Sequence, residues 1–179
     1  DNVTTRWAPF PNSASSSKRS LKIDEWAGMA ANDARAKLEI AIDKFLADLE
    51  AALVAAQKPA DALKLHVAQN LNWTPAEDTQ LATARQSTAD ASRVISDAVT
   101  KTARTPYAFM GLQLGDIGVS HVDPARKHLV TVSTLKDDAS KQQRQLERAS
   151  YHIAQARLRL ANLTREYEGI KKENRLADA

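Results

Sequence analysis

The last third of the chain carries an uninterrupted pattern in which apolar or small residues recur at alternating spacings of four and three. A repeat of seven residues over two helical turns has a period of 3.5, which keeps one narrow stripe facing a partner helix. The pattern predicts a helix over residues 134–175 that packs lengthwise against other helices. The members of this seam are Leu135, Ala139, Gln142, Leu146, Ala149, Ile153, Ala156, Leu160, Leu163, Tyr167 and Ile170.

Composition favours an all-α fold in a single domain. Of the 179 residues only 5 are Gly and 6 are Pro, which is typical of a chain made of long helices. The chain has no cysteine, so disulfides, thiolate metal sites and cysteine nucleophiles are excluded. No stretch approaches 18 apolar residues, and we expect no membrane span.

The first residues differ in character from the rest. Residues 1–19 contain two prolines and a serine-rich run, which predicts an extended arm without a core of its own. The large apolar groups of this arm, Trp7 and Phe10, are candidate anchors for a partner or for the chain's own helices. Residues 20–179 then form the helical domain.

Two helices are expected next. The first extends over 20–57 and carries the same alternating spacing, and we expect Pro59 to end it, because a proline inside a helix removes one backbone hydrogen bond. A short second helix follows over 60–71.

The clearest helix start lies at Thr74. Thr74 is a candidate N-cap, Pro75 takes the first helical position, and Glu77 completes a capping box. We expect this third helix to end before Pro106. Its seam consists of Leu81, Ala84, Thr88, Ala91, Ile95, Ala98 and Thr102.

Residues 105–133 interrupt the helical rhythm and contain three of the five glycines. The alternation over 117–122 and 127–132, on either side of an Asp-Pro turn, favours a small β-hairpin. The alternative is a helix that Asp123 caps. With the hairpin, the fold is an antiparallel bundle of three long helices and one short helix. Part of the last helix would project and need a partner, most simply a second copy of the chain.

A row of cations on the last helix is a candidate nucleic-acid-binding surface. Phosphate backbones are bound by such rows, and arginine binds them with a planar fork. The formal net charge of +3 and the pI of 9.2 are weakly in favour. The alternative is a solvated outer face that pairs with acids of the first helix. The row consists of Lys141, Arg144, Arg148, Arg157, Arg159 and Arg165.

The hairpin places two histidines opposite each other. His121 and His128 could then hold a metal ion, with Asp123 as a third ligand. Protonation of both imidazoles would instead make them repel. His66 and His152 are isolated in the sequence and are interpreted as surface or half-buried histidines.

No catalytic constellation is present. Acidic pairs stand at predicted helix starts, where they complement the helix dipole, and the glycines lack the strand-and-helix context of a nucleotide loop. We therefore expect no catalytic residues, no cofactor and no small-molecule substrate.

Three functions remain for such a chain. The first is a structural or assembly subunit that self-associates or docks a partner through its arm, tip loop and long last helix. The second is a coat-like protein that packages nucleic acid. The third is an extracytoplasmic sensor or receptor bundle, suggested by the sequons at Asn2, Asn72 and Asn162.

Overall fold

The computed structural model describes residues 31–178, and all regular structure in this part is helical, as the composition predicts. The N-terminal arm with Trp7 and Phe10 lies outside the described residues, as does the beginning of the first predicted helix. The elements are α1 (Ala31–Ala68), α2 (Pro75–Thr102), α3 (Ala108–Ile117), a π-helical segment (Gly118–Val122), α4 (Asp123–Val132) and α5 (Ala139–Asp178).

The first helix does not end at Pro59. The predicted division into helices over 20–57 and 60–71 is wrong, because α1 continues through the proline to Ala68. Pro59 has no N–H for the carbonyl of Ala55, but that carbonyl belongs to an exposed residue, where water can replace the missing donor. The buried seam keeps its spacing across the proline, through Ala56, Ala60, Leu63 and Val67.

The start of α2 is as predicted. The backbone N–H of Thr74 donates to Glu77 Oε1 at 2.7 Å, and the N–H of Ala76 donates to Thr74 Oγ1 at 3.2 Å. Pro75 occupies the first helical position, where a missing N–H removes no hydrogen bond. All members of the predicted α2 seam are buried.

The predicted β-hairpin is wrong. Residues 117–132 are helical, and α3, the π-helical segment and α4 follow one another without a break to form one rod. Pro124 explains the π-helical turn, because its ring cannot pack against the carbonyl four residues earlier. In a π-helical turn the backbone hydrogen bonds join residues that are five apart instead of four. Accordingly, the N–H of Asp123 donates to the carbonyl of Gly118.

The long last helix is confirmed, with a later start. α5 begins at Ala139, where Asp138 Oδ1 accepts from the backbone N–H of Lys141 at 3.0 Å. Seam residues from Gln142 to Ile170 are buried by the same chain. The expectation that part of this seam projects and needs a partner is therefore wrong.

Neighbouring rods run antiparallel. Lys171 of α5 donates to Asp43 of α1 at 2.8 Å, and Arg157 of α5 lies 3.5 Å from Glu50 of α1. Later residues of α5 therefore meet earlier residues of α1, and the two helices are antiparallel. α1 also contacts α2, which contacts the α3–α4 rod, which in turn contacts α5. The described part of the chain therefore has four rods in a closed ring, instead of three long helices and one short one.

A glycine allows the close approach of α2 and α3. A Cβ atom at Gly111 would lie 2.3 Å from Thr102 Oγ1 and 3.2 Å from the backbone of Val99. At Gly115, one turn later, a Cβ atom would meet only a methyl group of Val99, at the ordinary distance of 3.8 Å. Position 111 thus requires glycine for packing, and position 115 does not.

Candidate functional site

The six basic residues of the predicted row do not lie together. Arg157 reaches toward α1, where it pairs with Glu50 at 3.5 Å, and Arg159 reaches toward α3, where it pairs with Asp116. These two guanidinium groups therefore lie on opposite flanks of α5, and both are neutralised by carboxylates of the same chain.

The other four basic residues are exposed. Lys141 lies 3.7 Å from Asp138, and Arg165 donates to a side-chain oxygen of Asn162. Arg144 and Arg148 project from the outer side of α5. The structure thus leaves a short exposed group near the start of α5, in place of a continuous row along the helix.

Three of the four histidines meet where the π-helical segment and α4 pack on α5; we call His121, His128 and His152 the histidine cluster. The Nδ1 atoms of His121 and His152 are 3.1 Å apart. The ring of His128 is nearly parallel to that of His152, at 11° and 5.9 Å between centroids. His128 Nδ1 lies 2.7 Å from Gln145 Oε1, which leaves that nitrogen as the donor.

The predicted pairing of His121 with His128 does not occur, and His121 pairs with His152 instead. His121 and His128 are seven residues apart on one rod, and His152 lies within ring contact of both. Asp123, the expected third ligand, instead accepts a hydrogen bond from Ser92 at 3.2 Å. The sequence alone does not indicate this contact, because His121 and His128 are distant from His152 along the chain.

The environment of the cluster favours neutral imidazoles. Burial lowers the pKa of His121, and the positive charges of Arg159 and His152 lower it further. Burial also lowers the pKa of His152, with a second contribution from His128. Both rings are therefore uncharged at neutral pH.

A buried polar network joins α1 to the residue before α3 and to the end of α5. Tyr107 Oη donates to Glu39 Oε2 at 2.5 Å, and Tyr167 Oη donates to the carbonyl oxygen of Glu39 at 2.9 Å. Asn174 Nδ2 donates to Tyr107 Oη at 3.2 Å. Burial raises the pKa of both phenols, so they remain hydrogen-bond donors, and we interpret the network as structural.

A second stripe on α5 repeats the spacing of three and four, and every member is exposed. Each member precedes a buried residue by two positions, so the stripe lies on the side of α5 nearly opposite the seam. Its centre is apolar, with Tyr151 58% and Leu158 56% exposed, and both ends are charged. This outer stripe consists of Arg144, Glu147, Tyr151, Ala154, Leu158, Ala161, Arg165, Glu168 and Lys172.

The outer stripe borders a groove of 830 Å³ between α1 and α5. Buried Leu46 and Leu160 and the exposed Leu158 all contribute to its lining. The charges around the groove are mixed, with Glu50 on α1 and Arg165 on α5 among them. An apolar strip with charges of both signs suits a protein partner better than a phosphate backbone.

Comparisons with family models, with curated proteins and with solved structures found no match to this chain. Among the described residues no helix is long and apolar enough to cross a membrane. The described residues likewise contain no group of three or more His, Asp and Glu side chains that could hold a metal ion.

Proposed function

We propose that this chain is a non-enzymatic assembly subunit that pairs with a second copy of itself through the outer stripe of α5. The single observation that carries the proposal is the exposed repeat of three and four along α5. Such a repeat is the pattern with which one helix packs on another. The buried seam already meets α5's neighbours in the same chain, and within residues 31–178 no other helix covers the outer stripe.

The apolar centre fits an antiparallel pairing of two α5 helices. In antiparallel helix pairs, residues of alternating stripe positions face each other across a two-fold axis. We place the two-fold axis level with residue 156 along the length of α5, so that residues equally far before and after this level face each other. Leu158 then faces Ala154 of the second copy, and Tyr151 faces Ala161. Each large side chain thus meets a small one, which allows the two helices to approach closely.

The charged ends fit the same register. Arg165 then faces Glu147 of the second copy, and Arg144 faces Glu168. Because the two-fold axis repeats every contact, four pairs of opposite charge flank the apolar centre. Such complementarity selects one register over others.

A register shifted by seven residues loses most of this match and keeps only Glu147 opposite Lys172 as a pair of opposite charge. Moving the second helix by seven residues places Arg165 against Ala154 and Arg144 against Arg175. The first contact puts a charge on the apolar centre, and the second brings like charges together. The charge pattern therefore favours a second copy of the chain as the occupant of this surface.

Packaging of nucleic acid has weaker support. Arg157 and Arg159 pair with carboxylates of the same chain, so binding a phosphate would first require breaking an ion pair. The exposed cations near the start of α5 are Lys141, Arg144 and Arg148. With three phosphate contacts, the logarithm of the affinity would fall with the logarithm of salt with a slope of only about −2 to −3.

The test is the mass of the full chain in solution, measured by sedimentation velocity. We expect a concentration-dependent dimer, and we expect Leu158→Glu to raise its Kd at least tenfold, because a carboxylate would enter the apolar centre. The matched control is Leu112→Glu, which changes a residue of α3 that is 45% exposed and lies away from the outer stripe. The same Kd for both variants would refute the proposed surface.

A further inference from the structure

The histidine cluster has a geometry that the proposed pairing does not use. His121 lies in the π-helical segment, and such segments are frequent at functional sites because they displace a side chain from the regular helical position. Here the displaced turn places His121 Nδ1 3.1 Å from His152 Nδ1. Only one of these two nitrogens can carry a proton, since the other must accept it.

We propose that His121 and His152 form a bidentate site for a divalent first-row transition metal ion, with Cu(II) the preferred ion. When the metal binds, the ring that carries its proton on Nδ1 changes to the Nε2–H tautomer by exchange with solvent, so both Nδ1 lone pairs are available and both rings stay neutral. Imidazole nitrogen suits zinc, copper and nickel, and Cu(II) binds most tightly in this series. Water completes the coordination, because the described residues offer no third ligand of the usual kinds.

The distance between the nitrogens fits two ligands of one ion. At the metal–nitrogen distance of about 2.05 Å usual for imidazole, nitrogens 3.1 Å apart subtend about 98° at the metal. This angle lies between the square-planar and tetrahedral values. Each lone pair must turn about 40° away from the line between the two nitrogens, which a rotation of each ring about χ2 provides.

His128 and Tyr151 pack against the ring of His152 without bonding its nitrogens. His128 stacks on one face of His152 at 5.9 Å, and Tyr151 meets the same ring edge-on at 5.3 Å. Gln145 in turn fixes His128. This packing restricts the side-chain position of His152 before the metal binds, which leaves mainly the ring rotation about χ2 to adjust.

The charges near the site permit a cation. The guanidinium group of Arg159, whose charge acts on His121, is paired with Asp116, so its repulsion of a metal ion is reduced.

The experiment is a titration of the chelator-treated full chain with CuCl2 in the presence of glycine as a competing ligand. We expect one Cu(II) per chain, with an electron paramagnetic resonance spectrum showing two imidazole nitrogens. His121→Asn and His152→Asn should each weaken binding at least tenfold. The matched control, His66→Asn, removes the histidine outside the cluster and should change the affinity less than twofold.

Equal affinity in His121→Asn and in the unsubstituted chain would overturn the proposal, as would failure to retain copper against glycine. A second measurement does not depend on the folding of any variant. In ¹⁵N spectra of the histidine rings, ZnCl2 should shift the Nδ1 signals of His121 and His152. A shift confined to Nε2 signals or to His66 would contradict the site.

Discussion

Exchanging two charges on the outer stripe tests both the surface and the register of the proposed dimer. In that register Arg165 of each copy faces Glu147 of the other, so the pair occurs twice. An exposed ion pair contributes about 0.5 kcal/mol. Reversing one charge removes two attractions and adds two repulsions of similar size, about 2 kcal/mol in total, which raises Kd about 30-fold.

The double variant restores the attraction with its direction reversed. Glu147→Arg and Arg165→Glu should each weaken the dimer, whereas the combined variant should return Kd to within about threefold of the original value. Sedimentation velocity at low and high salt measures these constants, and the differences should shrink at high salt because exposed charges are screened. A double variant as weak as either single variant would refute the register.

Folding of the monomer should change little in these variants. Among the described residues neither Glu147 nor Arg165 forms an ion pair within the chain; their polar contacts are with Gln143 and Asn162. The urea midpoint of each variant checks this expectation. A large loss of stability would mean that the change in Kd reports unfolding.

Three further predictions concern stability. The pKa values of His121 and His152 are lowered from 6.5 in the folded chain, so as the pH drops through 6.5 the unfolded chain takes up protons before the folded chain does. The free energy of unfolding should therefore fall over this pH range. Equal urea midpoints at pH 7.5 and pH 5.5 would contradict this prediction. Gly111→Ala should destabilise by about 1–3 kcal/mol through overpacking against α2, whereas Gly115→Ala should stabilise by up to about 1 kcal/mol; equal thermal midpoints would refute the packing argument. Pro59→Ala should raise the thermal midpoint, with a gain of about 1–3 kcal/mol from the restored hydrogen bond, and no change would mean that the proline costs α1 nothing.

Helix boundaries were predicted correctly where the signal depends only on residues that are neighbours in the sequence. The capping box at Thr74 and Glu77 depends only on neighbours in sequence, and it forms as expected. Pro59 failed as an end signal because packing along the whole of α1 outweighs one missing hydrogen bond. The spacing of three and four continues without a break through Pro59 to Val67. This spacing indicates one continuous helix, and the proline signal was wrongly given more weight.

The error at residues 117–132 has a different cause. Short apolar runs fit a strand and a buried helix equally well, and the alternation around Pro124 was compatible with both. The burial of Ala125, Leu129 and Val132 follows helical spacing. Pro124 explains the π-helical turn once the helix is known, but a proline after Asp123 equally suits a hairpin turn, so the displacement of His121 was not predicted.

The candidate sites divide in the same way. The outer stripe was readable in principle, since Tyr151, Ala154 and Leu158 stand in sequence two positions before seam residues. The histidine cluster was not, because contact between His121 and His152 depends on how two helices pack. The predicted basic row is not continuous for a related reason. Basic residues that follow one another along α5 point to different neighbouring helices.

The most direct test of the proposed antiparallel pairing is a distance across the dimer. The chain has no cysteine, so a single introduced cysteine carries one spin label per copy. With the axis at residue 156 and a rise of about 1.5 Å per residue, labels at position 162 should be about 20 Å apart and labels at position 172 about 50 Å apart. Pulsed electron paramagnetic resonance that finds this increase supports the account, whereas equal distances at both positions, or no coupling between copies, would contradict it.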